Sequence, residues 1–269
     1  MTEIISKRLE VNQECTNKSN YKLCYEVPEI DCLINEIKSI DSLPDVKILL
    51  VVVDREYVSN NKPEEATLGE ATSKEIYLKY NPRLTGYIDY CNVTDWEYAI
   101  LISNKLWEMR NEYPAYFTYL LGHELGHVII MSTDKDFHIL SCITYDYLGN
   151  CNKNIKNYEL AFEEACDEFG KYVSELIHSK DKLNDELEKL ITSDNVKNFG
   201  RLKNLMKLSG TEAIDTNKVK NDLIKFCQPY RDCLITVWKK EKVRSIEYNL
   251  NKIVEEVDDF EKLLPKLSN

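Results

Sequence analysis

Residues 114–131 read Pro-Ala-Tyr-Phe-Thr-Tyr-Leu-Leu-Gly-His-Glu-Leu-Gly-His-Val-Ile-Ile-Met. The stretch is apolar on both sides of two histidines and an acid, which predicts one buried helix. Residues i and i+4 of a helix share a face, so His123 and His127 can reach one metal ion. Glu124, one position on, can reach a water beside that ion. Buried imidazoles and a buried carboxylate need partners, and a cation supplies one. Gly122 and Gly126 each cost about 1 kcal/mol in a helix interior, which predicts close packing of a neighbouring element against this site.

The pattern is the H-E-x-x-H arrangement of zinc hydrolases, with two neutral nitrogen ligands and one general base. Catalytic zinc takes three protein ligands and keeps one position open. No histidine follows at the metzincin spacing, because the chain continues Val128-Ile129-Ile130-Met131-Ser132-Thr133. The third ligand is therefore sought further on. Residues 157–179 have helical periodicity, with Phe162, Cys166, Phe169, Val173 and Leu176 as the apolar stripe. Glu163, Asp167 and Gly170 flank that stripe, while Glu164 and Glu168 point away from it. Glu163 is thus the expected third ligand. Asp167, one turn later, is placed to accept the second N–H of a metal-bound histidine and fix its orientation. Asp134 and Asp136 are the competing acids and read as loop residues.

An H-E-x-x-H helix followed by a helix carrying E-x-x-x-D resembles the gluzincin metallopeptidases. The words Gly122-His123-Glu124-Leu125-Gly126-His127 and Glu163-Glu164-Ala165-Cys166-Asp167-Glu168-Phe169 are similar to the compact cytosolic members, including the ImmA/IrrE-like peptidases that cleave repressors. The resemblance covers about Asp45 to Ile177. It implies zinc on His123, His127 and Glu163, Glu124 as base, Asp167 behind a ligand, and a protein or peptide substrate.

The 269 residues carry 46 acidic and 35 basic side chains, a net charge of −11. That balance disfavours a nonspecific grip on phosphates and on anionic membranes, so neither nucleic acid nor membrane is an expected partner. The start is too polar for a signal peptide, and no 18-residue apolar run is present. Nine scattered cysteines, none in C-x-x-C, suggest reduced thiols and a cytoplasmic location. Cys142 and Cys151 are the one pair that could bridge a loop.

The expected fold is α+β: a small zincin-like sheet, the H-E-x-x-H helix, a third-ligand helix, and a mainly helical C-terminal part. The divisions expected are a polar segment with a helix (1–44), a metallopeptidase core (45–180) and a helical region (181–269). Residues 1–25 read as polar and as either poorly ordered or peripheral. Residues 31–40 read as a helix, and residues 46–53 as a buried strand. Shorter strands are expected at 75–80, 85–91 and 98–103, with Ala99-Ile100-Leu101-Ile102 as the strand that faces substrate. A central strand without a free edge is an equally good reading of it. Helices are expected at 181–192, 195–208, 217–240 and 243–264, with a break at Ser209-Gly210 and Pro229 interrupting the third. They could cap the site, bind a protein partner, or complete the core.

The chemistry this predicts is hydrolysis of a peptide bond by metal-activated water, with Glu124 moving the proton. Tyr145, Tyr147, His138 and His178 are candidate donors to a developing oxyanion. The alternative reading is a non-catalytic zinc-containing interaction module whose function lies in the C-terminal helices. The stretch 197–207, the most basic in the chain, reads as a solvated helix face.

Overall fold

The computed structural model describes residues 2–11, 21–53, 57–58, 66–67, 69–74, 91–150, 156–192, 199–248 and 260–264. The strands are β1 (Glu3–Val11), β2 (Tyr21–Glu26), β3 (Lys47–Val53), β4 (Tyr57–Val58), β5 (Ala66–Thr67), β6 (Gly69–Ser73) and β7 (Tyr98–Ser103). The helices are α1 (Asp31–Lys38), α2 (Asn104–Met109), α3 (Pro114–Thr133), α4 (Lys135–Asn150) and α5 (Lys156–Ile177). They continue with α6 (Lys180–Thr192), α7 (Phe199–Leu205), α8 (Thr216–Cys227), α9 (Arg231–Tyr248) and α10 (Phe260–Leu263). The class is α+β.

The chain forms two compact units. The first takes Met1–Val128 and Cys166–Ala213, and the second Ile129–Ala165 and Ile214–Asn269. Helices α3 and α5 are each continuous through a boundary between them.

The first unit holds a mixed sheet in the order β2-β1-β3-β7-β6. Strands β1, β3 and β7 are parallel, while β2 and β6 run antiparallel to their neighbours. The β-branched run of β3 suits the middle of such a sheet, and residues 48–53 are all buried. Residues 2–11 are not peripheral: β1 lies between β2 and β3, with Leu9 fully buried. The charges of Lys7 and Arg8 hid it, because long basic side chains can lay their stems on a sheet and keep their heads in water.

β7 is a central strand, paired with β3 on one side and β6 on the other. Ala99–Ile102 therefore has no free edge, and among the described residues the outer strand on this side of the sheet is β6. The strands expected at 75–80 and within 85–90 lie outside the described residues. At its end β7 turns directly into α2, where the Ser103 hydroxyl accepts from the Leu106 N–H at 3.2 Å as an N-cap.

Helix α3 is buried nearly all round, as its sequence predicts. Its first turn begins at Pro114, and the buried Glu186 carboxylate of α6 accepts from the Tyr116 N–H at 2.8 Å. An acid at the positive end of a helix satisfies one of its unpaired amides. The face of α3 carrying Ala115, Tyr116 and Tyr119 packs on Leu183, Leu187, Leu190, Leu202 and Leu205 of α6 and α7.

In the second unit α4 occupies a stretch to which the sequence assigns no element, and it includes Asp136, read as a loop acid. The Asp134 carboxylate caps it by accepting from the Phe137 N–H at 3.1 Å, and it also pairs with Lys220. Phe137 stacks on Phe162 with ring centroids 5.5 Å apart, and Trp238 stacks on Phe260 at the same separation. Pro229 breaks the expected 217–240 helix into α8, a 3-10 turn and α9. The side chains of Cys142 and Cys151 lie outside the described residues.

Candidate metal centre

The site is built where α3 and α5 touch almost backbone to backbone. A β-carbon on Gly170 would lie 2.5 Å from the Tyr119 carbonyl and 2.7 Å from the His123 nitrogen. One on Gly122 would meet Val173 at 2.9 Å, and one on Gly126 the Cys166 α-carbon at 3.0 Å. Contacts under 3.0 Å with backbone leave no room for any side chain. The glycines that cost α3 helix propensity are the positions at which α5 presses against it.

That contact fixes which face of α5 looks at the histidines. Phe162, Cys166, Phe169 and Val173 are buried as the stripe requires, whereas Leu176 is 55% exposed and lies outside it. Glu164 is exposed, as its phase predicts. His123, His127 and Glu163 each offer a ligand atom, and these atoms all lie within 4.8 Å of one another.

The Nε2 atoms of His123 and His127 are 3.2 Å apart. Two nitrogens bound tetrahedrally to zinc at about 2.1 Å sit roughly 3.4 Å apart, so the pair has the spacing one ion needs. The Nδ1 atom of His123 lies 2.8 Å from Asp167 Oδ1. Donation of Nδ1–H to that carboxylate leaves the Nε2 lone pair pointing at His127. Two imidazole nitrogens and one carboxylate oxygen are a donor set suited to zinc. The residues present fit a metal ion.

Asp167 is held from three sides. Its Oδ1 accepts from the Tyr119 hydroxyl at 2.5 Å and from Arg201 at 2.8 Å, besides facing His123. Burial pushes the Asp167 carboxyl up, but the His123 hydrogen bond and the Arg201 guanidinium outweigh it and hold it below its ordinary value. Burial first, and then the Asp167 charge, push the Tyr119 hydroxyl well up, so it stays a donor. One Arg201 nitrogen lies 3.4 Å from both ring nitrogens of His123.

Glu124 points to the sheet edge. It is 7% exposed, and a β-carbon on Gly69 would lie 2.9 Å from its Oε1 and 3.1 Å from its Cγ. Gly69 opens β6 and pairs with Ile102 of β7. The edge strand thus passes directly over the carboxylate beside the two imidazoles.

The other sequence candidates are placed as follows. Asp134 spends its carboxylate on capping α4 and on Lys220. The side chains of Asp136 and Tyr145 lie outside the described residues. His178 shares a 2.9 Å hydrogen bond with Thr118. His138 is buried in the second unit, and burial alone pushes its imidazole down to about 4, so it is neutral. Tyr147 packs its ring on Tyr230 at 6.0 Å.

Three residues at the site escaped the sequence reading. Tyr119 stands one turn before His123, and that i, i+4 relation to a ligand was its available signal. Arg201 lies in the basic stretch read as a solvated face, and nothing local ties it to Asp167, 34 positions earlier. Gly69 is a lone glycine at the start of a short strand.

Compared with protein-family models, with curated proteins and with solved structures, the chain gives no match. No helix among the described residues is long and apolar enough to cross a membrane.

Proposed function

We propose that this chain is a zinc-dependent metallopeptidase of the gluzincin type, with a zincin-like core. The observation that carries the reading is the convergence of His123, His127 and Glu163 ligand atoms within 4.8 Å, beside Glu124. His123, His127 and Glu163 would hold the ion, and Asp167 would keep the His123 ring in place. Bound zinc supplies a Lewis acid that brings the pKa of water toward neutrality.

The chain's own groups do the rest. The Glu124 carboxylate takes a proton from the attacking water and passes it to the departing amine, as a general base and then a general acid. Its position against Gly69 puts that exchange next to β6. An extended peptide lying along β6 as an added strand would be held by backbone N–H and C=O groups. This moves the substrate-facing role from β7, which is central, to β6.

The reading is tested with the zinc-loaded chain, an unbiased peptide mixture and mass spectrometry. New termini should form, stop with a zinc chelator, and return when zinc is restored. A chain that binds zinc yet cleaves nothing would favour the non-catalytic interaction module. Cleavage indifferent to the chelator would overturn the zinc chemistry.

Gly69→Ala gives a finer check. The clash falls on the flexible end of Glu124 rather than on backbone, so the fold and the zinc content should stay as they are. Misplacing a reacting group by about 1 Å can cost roughly 10²-fold in rate, and a fall in kcat of that order is expected. Unchanged kcat would show that Glu124 does not depend on this contact.

A further inference from the structure

Lys171 on α5 is buried. An ammonium taken fully out of water is costly unless it is paired and hydrogen-bonded, and burial lowers its pKa from the ordinary lysine value. Its Nζ donates to the Leu205 carbonyl at 3.0 Å and the Met206 carbonyl at 3.4 Å, with the Glu175 carboxylate at 3.7 Å. Those carbonyls end α7, where the last carbonyls of a helix lack intrahelical partners and carry its negative end.

The spacing of these contacts is what gives Lys171 more than a capping role. Lys171 is one helical turn beyond Asp167 on α5. Leu205 is one turn beyond Arg201 on α7. The two helices are therefore joined at two points, four residues apart on each: Asp167 with Arg201 at 2.8 Å, and Lys171 with Leu205 at 3.0 Å. Leu202 and Leu205 also bury their side chains in the α3–α6 apolar cluster, but apolar packing is non-directional and sets no register. A seven-residue helix does not hold its own shape in water. The Arg201 side chain is 40% exposed, so its ion pair alone is a weak clamp.

We infer that Lys171 is a positioning residue for the metal site. It sets the register of α7 so that Arg201 reaches Asp167, and through Asp167 it steadies the ring of His123. Residues 199–206 thereby belong to the site although no ligand lies among them. The inference rests on the metal site proposed above. A purely structural lysine would change stability and leave metal affinity alone.

The test is a double-mutant cycle on the full chain with Lys171→Met, Arg201→Gln and both together. It is read as the zinc dissociation constant by chelator competition. Outer partners of a metal ligand are worth about 10–100-fold in affinity, and each single change is expected to cost roughly 10-fold. Because one change acts through the other, the double variant should bind zinc no more weakly than the weaker single variant. Wild-type affinity in Lys171→Met, or losses that multiply in the double variant, would overturn the role. If Lys171→Met does not fold, Lys171→Gln, which keeps a donor, replaces it. If neither folds, Lys171 serves the fold at large and the positioning role is overturned.

A wild-type chain that binds no zinc would sink the metallopeptidase reading and the metal-positioning role with it, whereas wild-type affinity in Lys171→Met sinks the positioning role alone. In the first case only the joint between Lys171 and Arg201 is left to test. The cycle is then read on the metal-free protein as shifts in urea midpoint. Shifts that fail to add show that Lys171 and Arg201 hold one joint, and additive shifts show that they do not.

Discussion

Glu124→Gln is expected to leave zinc bound at wild-type stoichiometry and to remove peptide hydrolysis. Glutamine has the size of glutamate, so the packing against Gly69 is kept, and Glu124 is not among the three converging ligands. What is lost is a group that can both take and return a proton. General acid–base catalysis contributes about 10²–10⁴-fold, and a loss in kcat at least that large is expected because one carboxylate serves both steps. Elemental analysis and a peptide-cleavage assay on the same preparation decide it. Full activity in Glu124→Gln would mean that another group carries the proton.

The second large effect is expected at the third ligand. Glu163→Ala removes one of three protein donors, so zinc affinity should fall by more than the 10–100-fold typical of an outer partner. Glu164→Ala removes an exposed acid on the far side of the same helix and should change affinity by less than a factor of about two. The pair is its own control, since both replace one acid of α5 with a strong helix former. Chelator competition measures both. If Glu164→Ala proved the more damaging, the orientation of α5 relative to His123 and His127 would be wrong.

The cluster of His123, His127 and Glu163 was legible because the chemistry of each residue is tied to a helical period. His123 and His127 follow from one face of α3, with Glu124 one position on. Glu163 and Asp167 follow from the phase of α5, which the apolar residues Phe162, Cys166, Phe169 and Val173 fix without reference to anything distant. Strand β3 and the limits of β7 were equally local. What the sequence withheld depends on pairing between remote segments. β1 reads as polar because its neighbours in the sheet, not its own composition, bury it. That β7 is central follows only from β6 pairing with it. Arg201 joins the site through tertiary contact with a helix 34 positions away, and Lys171 gives no sign in sequence that its ammonium is buried. Helix α4 was missed because its apolar positions are interleaved with Ser, Thr, Asp and Tyr, which blurs the period.

The glycine contact between α3 and α5 has a consequence for how the chain can change in length. Because Gly170 lies against the Tyr119 carbonyl with no space to spare, the turns of α5 become a ruler measured from that point. One residue inserted between Glu163 and Gly170 would swing the acid by about 100° and carry it away from the histidines. Insertions or deletions between Asn150 and Lys156 move no ligand, provided α5 still lands on the same glycine. Length variation should therefore be tolerated between α4 and α5 and rejected within those eight positions.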